Sequence, residues 1–241
     1  MPHSTFRSPL LLPAALLLVG QVLYILITQV HAGGNANDHA AIFVAYAGSR
    51  DWTAVHVGQF AAMAILVAGL LGLGFVLGED DGPGGWAARF GAASAVVALA
   101  LYGALQAVDG VANKQADLAW VSAPEAEKAA RFASAEAVRW IEWGLRSYHD
   151  FAFGLALVLL AVAVGRSAKL PRAMAYLMGL SGLAYLGQGW VVGTEGFSIT
   201  NSVAIVLAWV LSVAWMVWLA VVARRARQPE ERRPSADEHG R

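Results

Sequence analysis

The chain contains no cysteine, which excludes disulfides, thiolate metal sites and cysteine nucleophiles. Charged residues are scarce as well: they make up 14% of the 241 residues, against about 25% in a typical soluble domain. The formal net charge is +0, so we expect no nucleic-acid partner, which would require a basic surface. There is no HExxH motif, no serine nucleophile elbow and no phosphate-binding glycine loop. The sequence therefore names no reaction and no cofactor.

What the chain has in excess is apolar sequence, because 58% of its residues are hydrophobic. A helix needs about 20 mostly apolar residues to cross a bilayer core about 30 Å thick. Six segments meet this requirement, roughly 10–30, 55–78, 86–109, 148–166, 172–193 and 201–223. They predict an all-α, polytopic membrane helix bundle with six transmembrane helices in one domain, residues 1–223. A bundle of this kind is large enough to act as a channel or carrier, particularly as a homo-oligomer.

The distribution of Lys and Arg predicts that both termini lie inside. With this orientation the inner segments hold eleven of the 17 basic residues and the longer outer segments hold six. The short loop 166–172 carries three basic residues, whereas the short loop 193–200 carries none. We therefore expect a multi-pass protein of a bacterial cytoplasmic membrane, in the N-in/C-in orientation.

The two ends of the chain raise separate questions, namely whether span one is retained and whether the C-terminal tail is ordered. Span one could instead be a signal peptide cleaved after Ala32, but its apolar run of about 20 residues exceeds the usual signal core of about 7–15. We favour a retained span. The charged, proline-containing tail, residues 224–241, has no apolar face and is expected to be disordered in the cytoplasm.

Two outer segments are also predicted to be helical. Asp38 is a plausible N-cap for the short apolar helix AAIFVAY, which is too short to cross and is expected to cover the outer face. Ser122 and Glu125 form a capping-box pattern. It predicts an amphipathic outer helix that starts near residue 123 and runs without a break into span four.

Polar side chains gather at the outer ends of four predicted spans, where they recur at helical spacing. Span four carries its charges deepest, since Asp150 lies about 24 Å from Arg166 at about 1.5 Å per residue. A charge facing lipid is unfavourable, so this face is expected to turn toward the other spans. The stripes predict an outward-facing pocket between spans two to five with these candidate ligand-binding residues: His56, Gln59, Tyr102, Gln106, Asp109, Arg146, His149, Asp150 and Gln188.

Each stripe also has a structural interpretation. A Gln or Tyr of these stripes can simply make an interhelical hydrogen bond, and Asp109 and Asp150 can belong to internal charge pairs that fix helix packing. Arg139 and Glu142 are predicted to be solvated. The functional interpretation depends on convergence, because four helices offer polar groups at one depth.

Several chemistries fit the pocket, and binding of a small ligand or ion, with or without transport or sensing, is the leading one. Metal binding could use donors among His39, His56, His149, Asp109 and Asp150, although their spacing defines no particular ligand set. His56 and His149 could ligate haem. Asp109, His149 and Asp150 could act as acid and base in a membrane-embedded enzyme. A scaffold protein without a ligand is the remaining alternative.

Four stretches, NDHAAIFVAYAGSRDWTAVHVGQF, LYGALQAVDGVA, EAVRWIEWGLRSYHDF and GLAYLGQGWVVGTEGFS, resemble a bacterial family of six-span integral membrane proteins of unknown function, found mainly in actinobacteria. The resemblance covers almost the whole chain except both ends. It implies six spans. It implies no activity and assigns no catalytic residue.

Overall fold

The described part of the chain is entirely helical. The computed structural model describes residues 9–79 and 81–231, with side chains placed to residue 226, and no strand occurs among them. The helices are α1 (Leu11–Thr28), α2 (His39–Gly48), α3 (Trp52–Leu77), α4 (Pro83–Ala107), a π-helical segment (Val108–Asn113), α5 (Lys114–Val121), α6 (Glu125–Arg166), α7 (Arg172–Glu195) and α8 (Ile199–Glu231).

Five of these helices are long and apolar enough to cross a membrane: α1, α3, the continuous helix Pro83–Val121, α6 and the part of α8 from Ile199 to Ala226. Large apolar side chains also remain exposed along the outside of the bundle, which suits contact with lipid. Among them are Leu12, Val19 and Leu26 of α1, Phe75 of α3, and Val203, Val206 and Val210 of α8. The composition and surface are those of a multi-pass membrane protein.

The long helices form a closed ring in chain order. α1 packs on α3, α3 on α4, α4 on α6, α6 on α7 and α7 on α8, and α8 returns to pack on α1. The apolar core lies inside this ring and includes Leu17, Leu70, Leu157, Met174 and Trp215, each fully buried. The ring also encloses the polar stripes at one end.

A small cap covers that end of the ring. Helices α2 and α5 pack together over α6 around a second apolar cluster that contains Phe43, Trp52 and Phe132. The Asp38 side chain accepts a hydrogen bond from the Ala41 N–H at 3.1 Å, so the predicted N-cap of α2 is confirmed. At the other end of α2, the Lys114 ammonium donates to the carbonyl oxygens of Tyr46, Ala47 and Ser49 at 2.7–2.8 Å.

Helix α6 extends from the cap into the ring without interruption over 42 residues, as predicted. The predicted capping box is wrong, however. The helix begins after Pro124, and the Ser122 hydroxyl donates to the Leu118 carbonyl of the preceding helix instead. Proline explains the difference, because it disfavours helical geometry at Ala123 and separates the two helices there.

The C-terminal end of α8 extends into the segment that is predicted to be a disordered tail. The helix continues to Glu231, beyond the predicted start of the tail at residue 224. Alanine and arginine are good helix formers, so Arg224–Ala226 extend the helix easily. Residues 232–241 of the predicted tail lie outside the described residues.

Glycine permits close contact between α6 and α7. A Cβ atom added at Gly182 of α7 would lie 2.8 Å from the Gly154 carbonyl oxygen of α6, and one added at Gly154 would lie 2.7 Å from the Gly182 oxygen. Small residues let membrane helices approach this closely without help from the hydrophobic effect. These two glycines therefore set the α6–α7 distance.

We predict that Gly182→Val lowers the melting temperature of the purified protein, measured by circular dichroism in detergent. The added side chain would overpack the α6–α7 contact, which typically costs about 1–3 kcal/mol. The matched control is Gly187→Val on the same helix, where an added Cβ meets nothing within 4 Å. Equal melting temperatures for the two variants would contradict the close α6–α7 contact.

Candidate ligand-binding cavity

A partly open cavity of about 670 Å³ lies at the capped end of the ring, and its lining comes from α1, α2, α3, α4, the π-helical segment, α6 and α8. Ligand pockets commonly have volumes of about 300–1,000 Å³. The exposed lining residues of the cavity include Gly33, Gly34 and Asn35 before α2 and Ile199 and Ser202 at the start of α8. The polar lining consists of Tyr24, Thr28, His31, Asn35, Tyr46, Gln59, Tyr102, Gln106, Asp109, Arg139, Glu142, Arg146, Ser198, Asn201, Ser202 and Trp209.

Aromatic rings and an arginine line one side of the cavity. The Tyr24 ring packs edge-on against Tyr102 and Trp209, with centroids 6.0 and 6.1 Å away. The Arg146 guanidinium donates to the Tyr24 hydroxyl at 3.0 Å and to the Asp150 carboxylate at 3.1 Å. Asp150 itself is fully buried. Arg146 therefore lines the cavity, and its charge is already neutralised by Asp150, which is not part of the lining.

His149 and Gln188 lie away from the cavity. The His149 Nδ1 atom is 2.9 Å from the Ala98 carbonyl oxygen, and its ring packs against Tyr102 and Phe153. Gln188 is fully buried on α7, and its amide has no hydrogen-bond partner among the described residues. The His149 contacts join α6 to α4, and Gln188 lies outside the cavity lining.

A buried ion pair lies under the cap. Arg139 and Glu142 have only 1% and 2% exposure, and their nearest N–O distance is 2.6 Å. The Arg139 guanidinium also donates to the Ala36 carbonyl at 3.2 Å and stacks over Phe197 at 4.8 Å. The prediction that both residues are solvated is wrong, because the cap and the segment after α1 cover this part of α6.

The π-helical segment presents a carboxylate to the cavity. Asp109 lies near its start, and the Asn113 amide donates to Asp109 Oδ1 at 3.2 Å and to Glu142 Oε2 at 2.6 Å. The Trp52 indole donates to the Gly110 carbonyl at 3.0 Å. Short π-helical insertions often occur at functional sites, since they redirect side chains that a regular helix would place elsewhere.

Two histidines face the free oxygen of Asp109. His56 Nε2 lies 3.2 Å from Asp109 Oδ2, and His31 Nε2 lies 3.9 Å from the same atom. One donor atom from each of these residues lies within 4.8 Å of the other two, and the described residues contain no second group of three such donors. Burial lowers the pKa of His31, although the nearby Asp109 carboxylate opposes the shift.

The predicted site residues divide into those that line the cavity and those that do not. Gln59, Tyr102, Gln106, Asp109 and Arg146 line the cavity. His56, Asp150 and His149 contact the lining residues Asp109, Arg146 and Tyr102, respectively, whereas Gln188 is buried on α7 outside the lining. Sequence reasoning missed the lining residues Tyr24, Thr28, His31 and Tyr46, and it missed the burial of Arg139 and Glu142.

The two histidines of the haem hypothesis have separate surroundings. His149 packs among aromatic rings behind the cavity, whereas His56 contacts Trp52 and Asp109, and neither lines the cavity. Among the described residues, nothing brings these two rings together as axial ligands. The described geometry gives the haem hypothesis no support.

Comparisons with protein-family models, with curated proteins and with solved structures find no match to this chain.

We predict that Asp150→Asn destabilises the protein by about 3–5 kcal/mol, since removing one partner of a buried pair strands the other charge. Arg146→Gln added to it should recover part of the loss. The control uses the exposed pair Arg131–Glu127, which has the same i,i+4 spacing on the same helix. Glu127→Gln should cost about 0.5 kcal/mol or less.

Thermal unfolding in detergent, followed by circular dichroism, measures both effects. If Asp150→Asn melts like wild type while Glu127→Gln also does, the Arg146–Asp150 pair is not a structural contact. An Arg146→Gln, Asp150→Asn double variant no more stable than Asp150→Asn alone would also contradict the pairing.

Proposed function

We propose that the chain crosses a bacterial cytoplasmic membrane six times, with both termini inside. The span that completes the six, in addition to the five long apolar helices, is α7. Its glycine, serine, tyrosine and glutamine residues make it less apolar than those five. Two observations support it. Its 24 residues reach about 36 Å at about 1.5 Å per residue. It also lies between α6 and α8 in the ring, where the Gly154–Gly182 contact holds it against α6.

The orientation follows from the basic residues. The α6–α7 connection with Arg166, Lys169 and Arg172 is inside, and the cap formed by α2 and α5 is outside. The resemblance to a bacterial six-span family is consistent with this arrangement and stays a prediction. The cavity is then outward-facing.

A topology experiment tests this proposal. A reporter fused after Arg227 is expected to be active only as a cytoplasmic reporter, and one fused after Ala119 only as an external reporter, because the basic residues retain the inner loops. The reverse result at either position would reject the six-span, N-in/C-in arrangement.

The function that we propose is binding of a small amphipathic molecule or ion in this cavity, for transport or sensing. The observation that carries it is a partly open cavity of about 670 Å³ with mixed lining at the capped end of an otherwise apolar ring. Helix packing alone does not account for an opening of this size, since protein interiors are normally filled to crystal-like density.

The lining favours a ligand with an apolar body and a hydrogen-bonding end. Gln106 Oε1, Asn201 Oδ1 and Trp209 Nε1 are buried and have no hydrogen-bond partner among the described residues. Buried polar groups in native proteins are almost always satisfied, so these two acceptors and one donor are suited to a bound molecule or to water. Arg146 is already paired with Asp150, so the ligand need not be an anion.

Because the chain lacks cysteine, single introduced cysteines test the cavity directly. We predict that a membrane-impermeant maleimide labels Gln106→Cys from outside intact cells. Ser122→Cys, on the exposed cap, is the positive control, and Ser181→Cys, fully buried outside the cavity, is the negative control. The serine controls are nearly isosteric, and both native hydroxyls bond only within their own chain segment.

The same variants identify a ligand. A compound that binds in the cavity should slow labelling of Gln106→Cys and leave the rate for Ser122→Cys unchanged. Labelling of Gln106→Cys at the slow rate of Ser181→Cys would contradict an outward-facing cavity. If labelling is fast but no compound in a library of water-soluble amphipathic molecules and inorganic ions protects it, the binding function is rejected for those classes.

A further inference from the structure

We propose that His31, His56 and Asp109 form a binding site for one divalent first-row transition-metal ion in the wall of the cavity. The three residues come from the segment after α1, from α3 and from the π-helical segment, and they are far apart in sequence. Only the closed ring brings them together. The site does not depend on a ligand occupying the cavity.

The hydrogen bonds of both histidines leave the same ring nitrogen free. His56 Nδ1 lies 2.7 Å from the Trp52 carbonyl oxygen, and His31 Nδ1 lies 2.8 Å from the Ala32 carbonyl oxygen. A carbonyl oxygen only accepts hydrogen bonds, so each Nδ1 carries the proton and donates it. In the neutral rings each Nε2 therefore has a free lone pair. Metal-binding histidines are usually oriented by such a bond from the other nitrogen.

The two free nitrogens face an oxygen that is also an acceptor. Both Nε2 atoms point toward Asp109 Oδ2, at 3.2 and 3.9 Å, and His56 Nε2 has no hydrogen-bond partner among the described residues. Three lone-pair donors that converge without a hydrogen between them repel one another. A cation between them converts the repulsion into coordination. A proton shared by His56 and Asp109 would satisfy only two of the three donors.

The carboxylate is held in place for this role. The Asn113 amide donates to Asp109 Oδ1 and so directs Oδ2 toward the histidines. Trp52 orients two elements at once, because its carbonyl holds His56 and its indole holds the Gly110 backbone beside Asp109. Groups that orient metal ligands in this way typically affect metal affinity by about 10–100-fold.

The geometry fits a small ion after a modest movement. Imidazole nitrogen and carboxylate oxygen bind zinc at about 2.0–2.2 Å, so neighbouring ligand atoms lie about 3–3.5 Å apart. The three donor atoms lie within 4.8 Å of one another, so an approach of up to about 1.3–1.8 Å completes the site. His31 lies in the non-helical segment between α1 and α2, where such a movement is easiest.

The donor set selects a class of ion and leaves part of its coordination sphere open. Two imidazoles and one carboxylate suit zinc, iron(II), cobalt(II) or manganese(II), whereas magnesium and calcium prefer oxygen donors. Three protein ligands leave at least one position for water or another molecule. Since His31 and Asp109 line the cavity, that position faces the cavity.

Cobalt(II) titration of the purified protein tests the proposal. The affinity tag is removed, the protein is dialysed against a chelator, and circular dichroism verifies that it is folded. We expect one cobalt ion per chain, a visible d–d absorption band, and displacement by zinc but not by magnesium. Asp109→Asn and His31→Gln should each weaken cobalt binding by more than the roughly 10–100-fold typical of losing an orienting group.

The matched control is His39→Gln. His39 forms a histidine–carboxylate pair with Glu136 at 2.9 Å, but no third donor completes a group there among the described residues. This variant should keep the cobalt stoichiometry, affinity and spectrum of the wild type. His31→Gln changes a residue outside the helices, so it remains informative if Asp109→Asn does not fold.

Three results would overturn the proposal: a folded wild-type protein without stoichiometric cobalt or zinc, an unchanged affinity in folded His31→Gln, or an equal loss in His39→Gln. The first of these is the result expected if a proton joins His56 and Asp109. Labelling of Gln106→Cys reports on the cavity separately. A protein whose cavity is labelled and protected by a ligand, but which takes up no metal, rejects the metal site and leaves the proposed function intact.

Discussion

Charged side chains stay buried along one face of α6, and each of them must find a partner in the ring or the cap. Arg139 pairs with Glu142, and Arg146 with Asp150. An unpaired charge in this position would cost several kcal/mol, so the surrounding elements are arranged around these groups. The Tyr24 hydroxyl of α1 also accepts a hydrogen bond from Arg146, and the Ala36 carbonyl accepts one from Arg139. The wall of the cavity is therefore the place where α6 satisfies its charges.

Much of the helical architecture follows from sequence patterns. Apolar length alone predicts α1, α3, α4, residues 148–166 of α6 and residues 201–223 of α8. Helical spacing predicts that Tyr102, Gln106 and Asp109 share a face. The same spacing indicates the burial of Arg139 and Glu142, because both continue the stripe of Arg146 and Asp150 toward the cap. The general expectation that charges beyond the membrane face water predicts the opposite for Arg139 and Glu142, and it is wrong here.

Other features could not be predicted from local patterns. His31 lies in a segment without periodicity, and it reaches Asp109 only because α1 and α3 pack side by side in the ring. The π-helical segment has no recognised sequence signature, yet it determines where Asp109 and Asn113 point. Pro124 separates α5 from α6 and overrides the capping pattern of Ser122. Each of these depends on contacts between residues that are distant in the chain.

The bonds of Lys114 connect the cap to the cavity wall. Its ammonium group holds the last carbonyls of α2, and the residue follows directly after the π-helical segment that carries Asp109. About a turn of backbone separates Asp109 from Lys114. The C-terminal end of α2 is therefore anchored to the cavity wall through the Lys114 side chain.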